Sequence, residues 1–361
     1  MAVGRAGGSD SSRTCSRHGA GALFQKIEAL TRFSILAVAI VLLFALNLFI
    51  GSVEIPCSEV WQILTGRGDP QSPLSFIVLG SRLPQAITAL LAGAGLAVSG
   101  LMLQTAFRNP LAGPSILGIS SGASLGVALV MLLFGGSVVA GSYSWSGYAA
   151  VIVGAFAGSL AIMGILLIFS TWLKNDFMLL ISGIMIGYLT SSAITLLNFS
   201  STAQGIQSYT MWGMGSFNGV SMEQMPVFGA ISVAGIVMSV LLIKPLNLLL
   251  LGNNYAINLG LNVRAVRNML LISTGVLTAV ITAYCGPVSF IGLAVPHIAR
   301  MIFRSDNHRI LLPATLMCGS AVALLCNLIA ILPKSGVIPL NAVTPVIGAP
   351  VIIYVILRRR K

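Results

Sequence analysis

The chain has 361 residues, of which 56% are hydrophobic and only 8% charged, and it carries a formal net charge of +12. So little charge cannot cover the surface of a soluble protein of this length, which excludes a large water-soluble enzyme or binding module. The basic residues form no contiguous face, so the positive balance reads as a membrane-topology signal and not as a nucleic-acid footprint.

The first residues, "MAVGRAGGSDSSRTCSRHGAGA", are small, polar and aperiodic, and residues 1–32 read as a disordered tail. Ten apolar runs follow, at about 33–51, 83–103, 114–134, 148–171, 178–197, 226–243, 269–285, 287–303, 311–331 and 341–357. About 20 apolar residues cross a bilayer core. Lipid offers no hydrogen bonds, so each run must satisfy its own backbone and is expected to be helical. The first run is too long for a signal-peptide core and lacks a cleavage site, so it counts as a span. The expectation is an all-α integral membrane protein, with one ten-helix domain over 33–357 and a basic end at 358–361. With both termini cytoplasmic, 17 of the 20 Lys and Arg fall on the cytoplasmic side, leaving Arg67, Arg82 and Lys334 outside.

Between the runs, "SEVWQILTG" places Val60, Ile63 and Leu64 on one helical face, which predicts a short helix at the membrane surface. Residues 198–226 mix apolar and polar types and predict a short re-entrant or interfacial helix. Glycines recur at four-residue spacing in Gly118, Gly122 and Gly126, in Gly154 and Gly158, and in Gly183 and Gly187. Such spacing lets helix backbones approach closely and points to bundle packing. Cys15, Cys57, Cys285, Cys318 and Cys326 have no metal-type or redox-type spacing and read as small hydrophobes or tail residues.

Chemistry is sparse. His18, His297 and His308 have no nucleophile or ligand at a useful spacing, so no catalytic residue and no metal site are expected. No lysine follows a glycine, which excludes the common phosphate-binding loop. None of the eight acids falls inside an expected run. Ion-coupled transporters usually bury such groups, so this alternative is disfavoured and the driving energy is expected to come from elsewhere.

One stretch departs from the apolar pattern: "FRNPLAGPSILGISSGAS", residues 107–124. Gln104, Arg108 and Asn109 are expected to end the second span. Pro110 restricts the residue before it, and Pro114 is expected near the first turn of the third span. A second departure is "LNLLLLGNNYAINLGLNVRAVRN", residues 246–268, which sets Leu251, Leu259, Leu261 and Val263 on a polar-side loop where an apolar face needs a partner. Gly252 and Gly260 would end or kink its helices.

"RLPQAITALLAGAGLAVSGLMLQTAFRNPLAGPSILGISSGA" (82–123), "GPVSFIGLAVPHIARMIF" (286–303) and "LNAVTPVIGAPVIIYVIL" (340–357) resemble the FecCD-type permeases. These are membrane subunits of bacterial ABC importers for ferric siderophores, haem and cobalamin. The resemblance runs from about residue 33 to the C-terminus. It implies a type II importer permease in the inner membrane that pairs with a second copy of itself. It also implies two ATPase subunits that carry ATP-Mg, and a periplasmic or lipid-anchored binding protein. By the same resemblance Gln104, Asn109, Ser120, Ser121 and Gly122 line the pathway. Leu251, Gly252, Asn253, Ala256, Leu259, Gly260 and Leu261 form the ATPase coupling segment. Arg82 and Lys334 would dock the binding protein, and Asn175 and Asp176 would form a cytoplasmic gate. His297 is read as structural. No run contains a histidine except His297 at an edge, which leans toward a siderophore over haem.

Overall fold

The structure is a computed structural model that describes residues 10–69, 71–133, 137–140, 143–173, 176–333 and 336–358. The first helix, α1 (Asp10–Phe49), starts well before its apolar run and takes in residues 10–32, which the sequence reads as tail. A helix nucleated by the apolar run gains one hydrogen bond for each further residue, which favours its extension. Glu28 pairs with Arg32 one turn on.

A short helix α2 (Cys57–Leu64) follows, as expected from its apolar face. Val60 and Ile63 bury with Ile55 and Val78 in a small cluster apart from the main core. The next helix begins ten residues earlier than the apolar run. Ser72 caps it by accepting from the Ser75 N–H, and Pro73 occupies the first turn. This turn, α3 (Pro73–Ser75), continues through a π-helical segment, Phe76–Arg82, into α4 (Leu83–Ala106).

The remaining elements are α5 (Ile119–Ala128) with a π-helical extension Leu129–Leu133, then a hairpin of β1 (Ser137–Ala140) and β2 (Tyr143–Ser146). The hairpin is antiparallel and pairs Val138 with Trp145. Next come α6 (Tyr148–Trp172), α7 (Asp176–Phe199) and α8 (Ala203–Gly213), the last being the short helix expected in 198–226. Then follow α9 (Met225–Leu241), α10 (Ile243–Leu250), α11 (Asn253–Asn258), α12 (Val263–Cys285), α13 (Ile291–Phe303), α14 (His308–Ile331) and α15 (Leu340–Arg358).

Each expected run holds a helix. Among the described residues six are long and apolar enough to cross a membrane, or seven if α9 and α10, bent by 48°, form one span. Three shorter apolar helices, Ile119–Leu133, Ile291–Phe303 and Leu340–Val355, occupy the third, eighth and tenth runs.

The molecule is built around α4. Gly93 meets Gly319 of α14 so closely that a Cβ on either would drive into the other's carbonyl, and a Cβ on Gly100 would drive into the carbonyl of Gly292 of α13. The predicted spacing is borne out as packing: Gly122 and Gly126 of α5 seat against Gly158 and Gly154 of α6. A chain of three buried amides joins α1, α4 and α14. The Gln85 amide donates to Asn327 Oδ1 at 2.9 Å, and Asn327 donates to Asn47 Oδ1 at 2.7 Å. Asn47 in turn donates to the Leu324 carbonyl at 3.1 Å. Cys285, Cys318 and Cys326 are buried among these helices, while Cys57 is exposed.

Candidate functional site

Two polar ends close the bundle. At the basic end, α10 and α11 turn the 246–268 loop into a compact pair of short helices. Gly252, at φ +107°, forms the hinge between them, and Gly260, at φ +83°, stops the second. The stop is a Schellman closure: the Gly260 N–H bonds the Ile257 carbonyl at 2.9 Å and the Leu261 N–H bonds the Ala256 carbonyl at 2.9 Å. Leu261 therefore folds back against the core and Ala256 is fully buried, so these two brace the loop from within. The exposed apolar residues are Leu250, Leu251, Tyr255, Ile257 and Leu259, with Leu251 58% and Leu259 60% exposed. Asn262 begins α12 by accepting from the Ala265 N–H at 3.0 Å.

The corner between α4 and α5 lies beside this loop. It departs from expectation at both ends, for α4 stops at Ala106, before Pro110, and α5 starts at Ile119, after Pro114. Arg108 sits in the left-handed region at φ +46° and Gly118 at φ +79°, and neither conformation can continue a helix. Arg108 Nη2 donates to Asn253 Oδ1 at 2.7 Å, bridging the corner to the start of α11. Behind it, the His308 side chain is fully buried, with Nε2 2.9 Å from the Thr105 hydroxyl and Nδ1 3.0 Å from Asn247 Oδ1. Asn247 Oδ1 also accepts from the His308 backbone N–H at 2.8 Å, so it acts as an acceptor toward the ring. Nδ1 thus faces Asn247 as a donor, and Nε2 lies against the Thr105 hydroxyl, whose one proton is shared between the ring and the Leu101 carbonyl at 2.9 Å.

Of the residues expected along a pathway, Gln104 is only 4% exposed. Its Oε1 accepts from Arg300 at 2.8 Å and its Nε2 donates to the Leu293 carbonyl at 3.1 Å, so it joins α4 to α13 inside the chain. Asn109 Oδ1 accepts from the Leu111 N–H at 2.9 Å, a turn-forming bond. Gly122 is covered by α6, whereas Ser120 and Ser121 stay half-buried at the start of α5. The His297 ring nitrogen lies 2.9 Å from the Pro110 carbonyl and holds the corner against α13. Asp176 is the first residue of α7, and Asn175 lies outside the described residues, as does Lys334.

At the opposite end Arg82 differs from the docking cation that the sequence suggests. Its guanidinium is buried and donates to the carbonyls of Leu48, Phe49 and Val53, the first two at 2.9 and 3.1 Å. These are carbonyls at and just beyond the end of α1, which a cation satisfies both by hydrogen bonding and by opposing the helix dipole. Gly51 leaves the room, since a Cβ there would strike the guanidinium at 2.7 Å. Asn341 was missed by the sequence reading. Its amide donates to the carbonyls of Gly213 at 3.0 Å and Pro287 at 2.6 Å, and its Oδ1 accepts from Ser289 at 3.1 Å. One side chain thereby ties the ends of α8, α12 and α15 together. Asn247 and His308 were missed too. An Asn or His beside an apolar helix is the available signal, but its partner is remote in sequence.

The relatives agree with this architecture. The haemin transport system permease protein HmuU of Yersinia pestis is 34% identical over 314 residues, covering 86% of this chain and 90% of the relative. The vitamin B12 import system permease protein BtuC of Klebsiella pneumoniae is 39% identical over 280 residues, covering 77% of this chain and 82% of the relative. Among solved structures, a chain of an ABC transporter described as of metal-chelate type, in an inward-facing conformation, superposes with a TM-score of 0.78 at 28% identity. That superposition covers 91% of this chain and 99% of the other. The family model for the FecCD transport family matches residues 39–358, and this chain belongs to that family.

Proposed function

We propose that the chain is the membrane-spanning permease subunit of an ATP-driven importer that carries a metal chelate, whether a ferric siderophore, haem or cobalamin, across the bacterial inner membrane. The observation that carries this reading is the exposed apolar face of α10 and α11, borne on a rigid, Schellman-closed loop. Leu251, Tyr255, Ile257 and Leu259 would each leave apolar surface in water unless another protein covered them. A partner ATPase that binds ATP-Mg would dock there, and this chain would supply the path and catalyse nothing.

The six full-length helices, the bent α9–α10 pair and the three shorter helices would make ten crossings, with the basic end and both termini in the cytoplasm. A second copy would complete the pathway at a shared interface. A binding protein would deliver the chelate at the opposite end, where Arg82 would shape the surface by fixing the end of α1. Ser120 and Ser121 remain the pathway candidates at the start of α5, and Asp176 the gate candidate at the start of α7.

Co-purification tests this. The wild-type chain, expressed with its genomic neighbours, should bring down a nucleotide-hydrolysing subunit. Leu251→Glu combined with Leu259→Glu should lose that subunit while the chain stays monodisperse and folded. Retention of the ATPase by the double variant would remove the docking face from the argument.

A further inference from the structure

The loop that bears the exposed apolar face is also tied by hydrogen bonds to the corner between α4 and α5. We propose that these ties, Arg108 to Asn253 and Thr105 through His308 to Asn247, form a two-point linkage by which movement of the docking loop pulls as well as pushes the α4–α5 corner. This deepens the permease reading and rests on it.

Two independent observations meet at the corner. On the outside, the exposed Arg108 reaches Asn253, the first residue of α11, at 2.7 Å. On the inside, the buried His308 ring bridges Thr105, in the last turn of α4, and Asn247, in the middle of α10, at 2.9 and 3.0 Å. One point therefore holds each of the loop's two short helices. The Arg108 backbone is at φ +46°, a conformation that costs a non-glycine residue about 1 kcal/mol or more and persists only where its surroundings dictate it. Here that backbone aims the side chain at α11.

The same corner carries Pro110, held by His297 of α13, and leads directly to Ser120 and Ser121 at the start of α5. A displacement of the loop would therefore reach the first turn of a helix proposed to face the pathway.

The direction of force is what distinguishes this linkage from ordinary packing. Apolar contact resists compression, but in tension it yields about 0.1–0.2 kcal/mol for each atom pair that separates. The buried His308 bridge resists in both directions, because pulling it apart leaves polar groups unmet away from water, while the exposed Arg108 bond, which water can replace, keeps α11 in register with the corner. A transporter that must open alternately to each side needs a return stroke, and the polar ties supply one. Coupling of this kind is established only by perturbing both points and finding their effects non-additive.

The test uses the complete transporter in proteoliposomes, with its ATPase and binding protein, and measures chelate uptake and ATP hydrolysis together. Arg108→Ala, Thr105→Val and the double variant should each retain the co-purifying ATPase and hydrolyse ATP within about twofold of wild type. Uptake per ATP should fall several-fold in each single variant and, in the double, by clearly more than the product of the two single losses, whereas a double loss equal to that product would overturn the linkage. Arg108→Lys and Thr105→Ser, which keep a donor at each point, should recover most of the loss. Unchanged uptake per ATP in the double variant would overturn the linkage, as would a loss of uptake and hydrolysis in equal proportion. If Thr105→Val does not fold, Asn247→Ala, at the other end of the buried bridge, takes its place in the single and double variants. If the wild type brings down no ATPase, the permease reading falls first and takes the linkage with it. A retained ATPase with unaltered uptake per ATP defeats the linkage only.

Discussion

Helices α1 and α4 are both apolar and both long enough to cross a membrane, yet they occupy opposite situations. In the most apolar stretch of the α4 segment 83% of residues are buried within the chain, whereas in α1 the figure is 0%. The difference lies in side-chain size. The α4 sequence "LLAGAGLAVSGLML" is studded with Gly, Ala and Ser, and its neighbours come to backbone contact. The α1 sequence "SILAVAIVLLFALNLF" presents Ile35, Val38, Val41 and Leu42 outward. In lipid, apolarity brings a segment into the membrane without saying where in the bundle it sits, because a Leu is equally at ease against acyl chains and other helices. Small residues mark the axis, and large ones mark the rim.

Substitution at the axis should break this contrast most severely. Gly100→Leu would force a side chain into the Gly292 carbonyl, where neither backbone can retreat without moving α13. The expected cost is about 3 kcal/mol or more, at or above the upper end for overpacked cores. The variant should accumulate poorly and elute as aggregate after detergent extraction. A monodisperse Gly100→Leu protein with wild-type thermal stability would mean that α4 is not the rigid axis described.

The amide chain from α1 to α14 lets the rim be compared with the axis at a single bond. Asn327→Leu leaves the Gln85 and Asn47 amides without their partner, at a cost of about 1–2 kcal/mol, read as a fall in Tm. Replacing all three amides with leucine should cost less than the single change, since no unmet polar group then remains. The smallest effect is expected at the rim. Leu42→Ala, at a position 57% exposed, should alter stability by no more than about 0.5 kcal/mol. A larger loss would show that the outer face of α1 is covered by another chain in the working assembly.

Much of this architecture is legible in the sequence, because it is written in local terms. The apolar runs locate the helices, Gly252 and Gly260 locate the breaks in the 246–268 loop, and the four-residue glycine spacing identifies the α5–α6 contact. The start of the second span was legible too, in Ser72 followed by Pro73, a cap and first-turn signal that hydropathy alone passes over. What the sequence does not yield is the partner of a polar side chain. Gln104 looks like a pathway amide until Arg300 and Leu293 are seen to consume both of its ends. Arg82 looks like a surface cation until three carbonyls from another segment close around it. The corner residues misled for a related reason. Pro110 and Pro114 are strong helix breakers, but Arg108 and Gly118 take the left-handed turns that set the boundaries, and only the second belongs to a residue type that advertises it.

The order in which these contacts become available has a consequence for how the chain is made. Leu48 leaves the ribosome 34 residues before the arginine that will bind its carbonyl. The first span therefore enters the bilayer with a raw end, completed only as the second span emerges. The wait is far longer for Gly100 and Gly93 of α4, which have no cover until Gly292 and Gly319 are synthesised, in the last fifth of the chain. Through most of translation the future centre of the protein is thus an unoccupied furrow of small residues lined by lipid. Biogenesis must hold that furrow open for the latest helices to fill, and a chain truncated before residue 290 would insert its membrane segments yet leave the Gly93 and Gly100 faces of α4 uncovered.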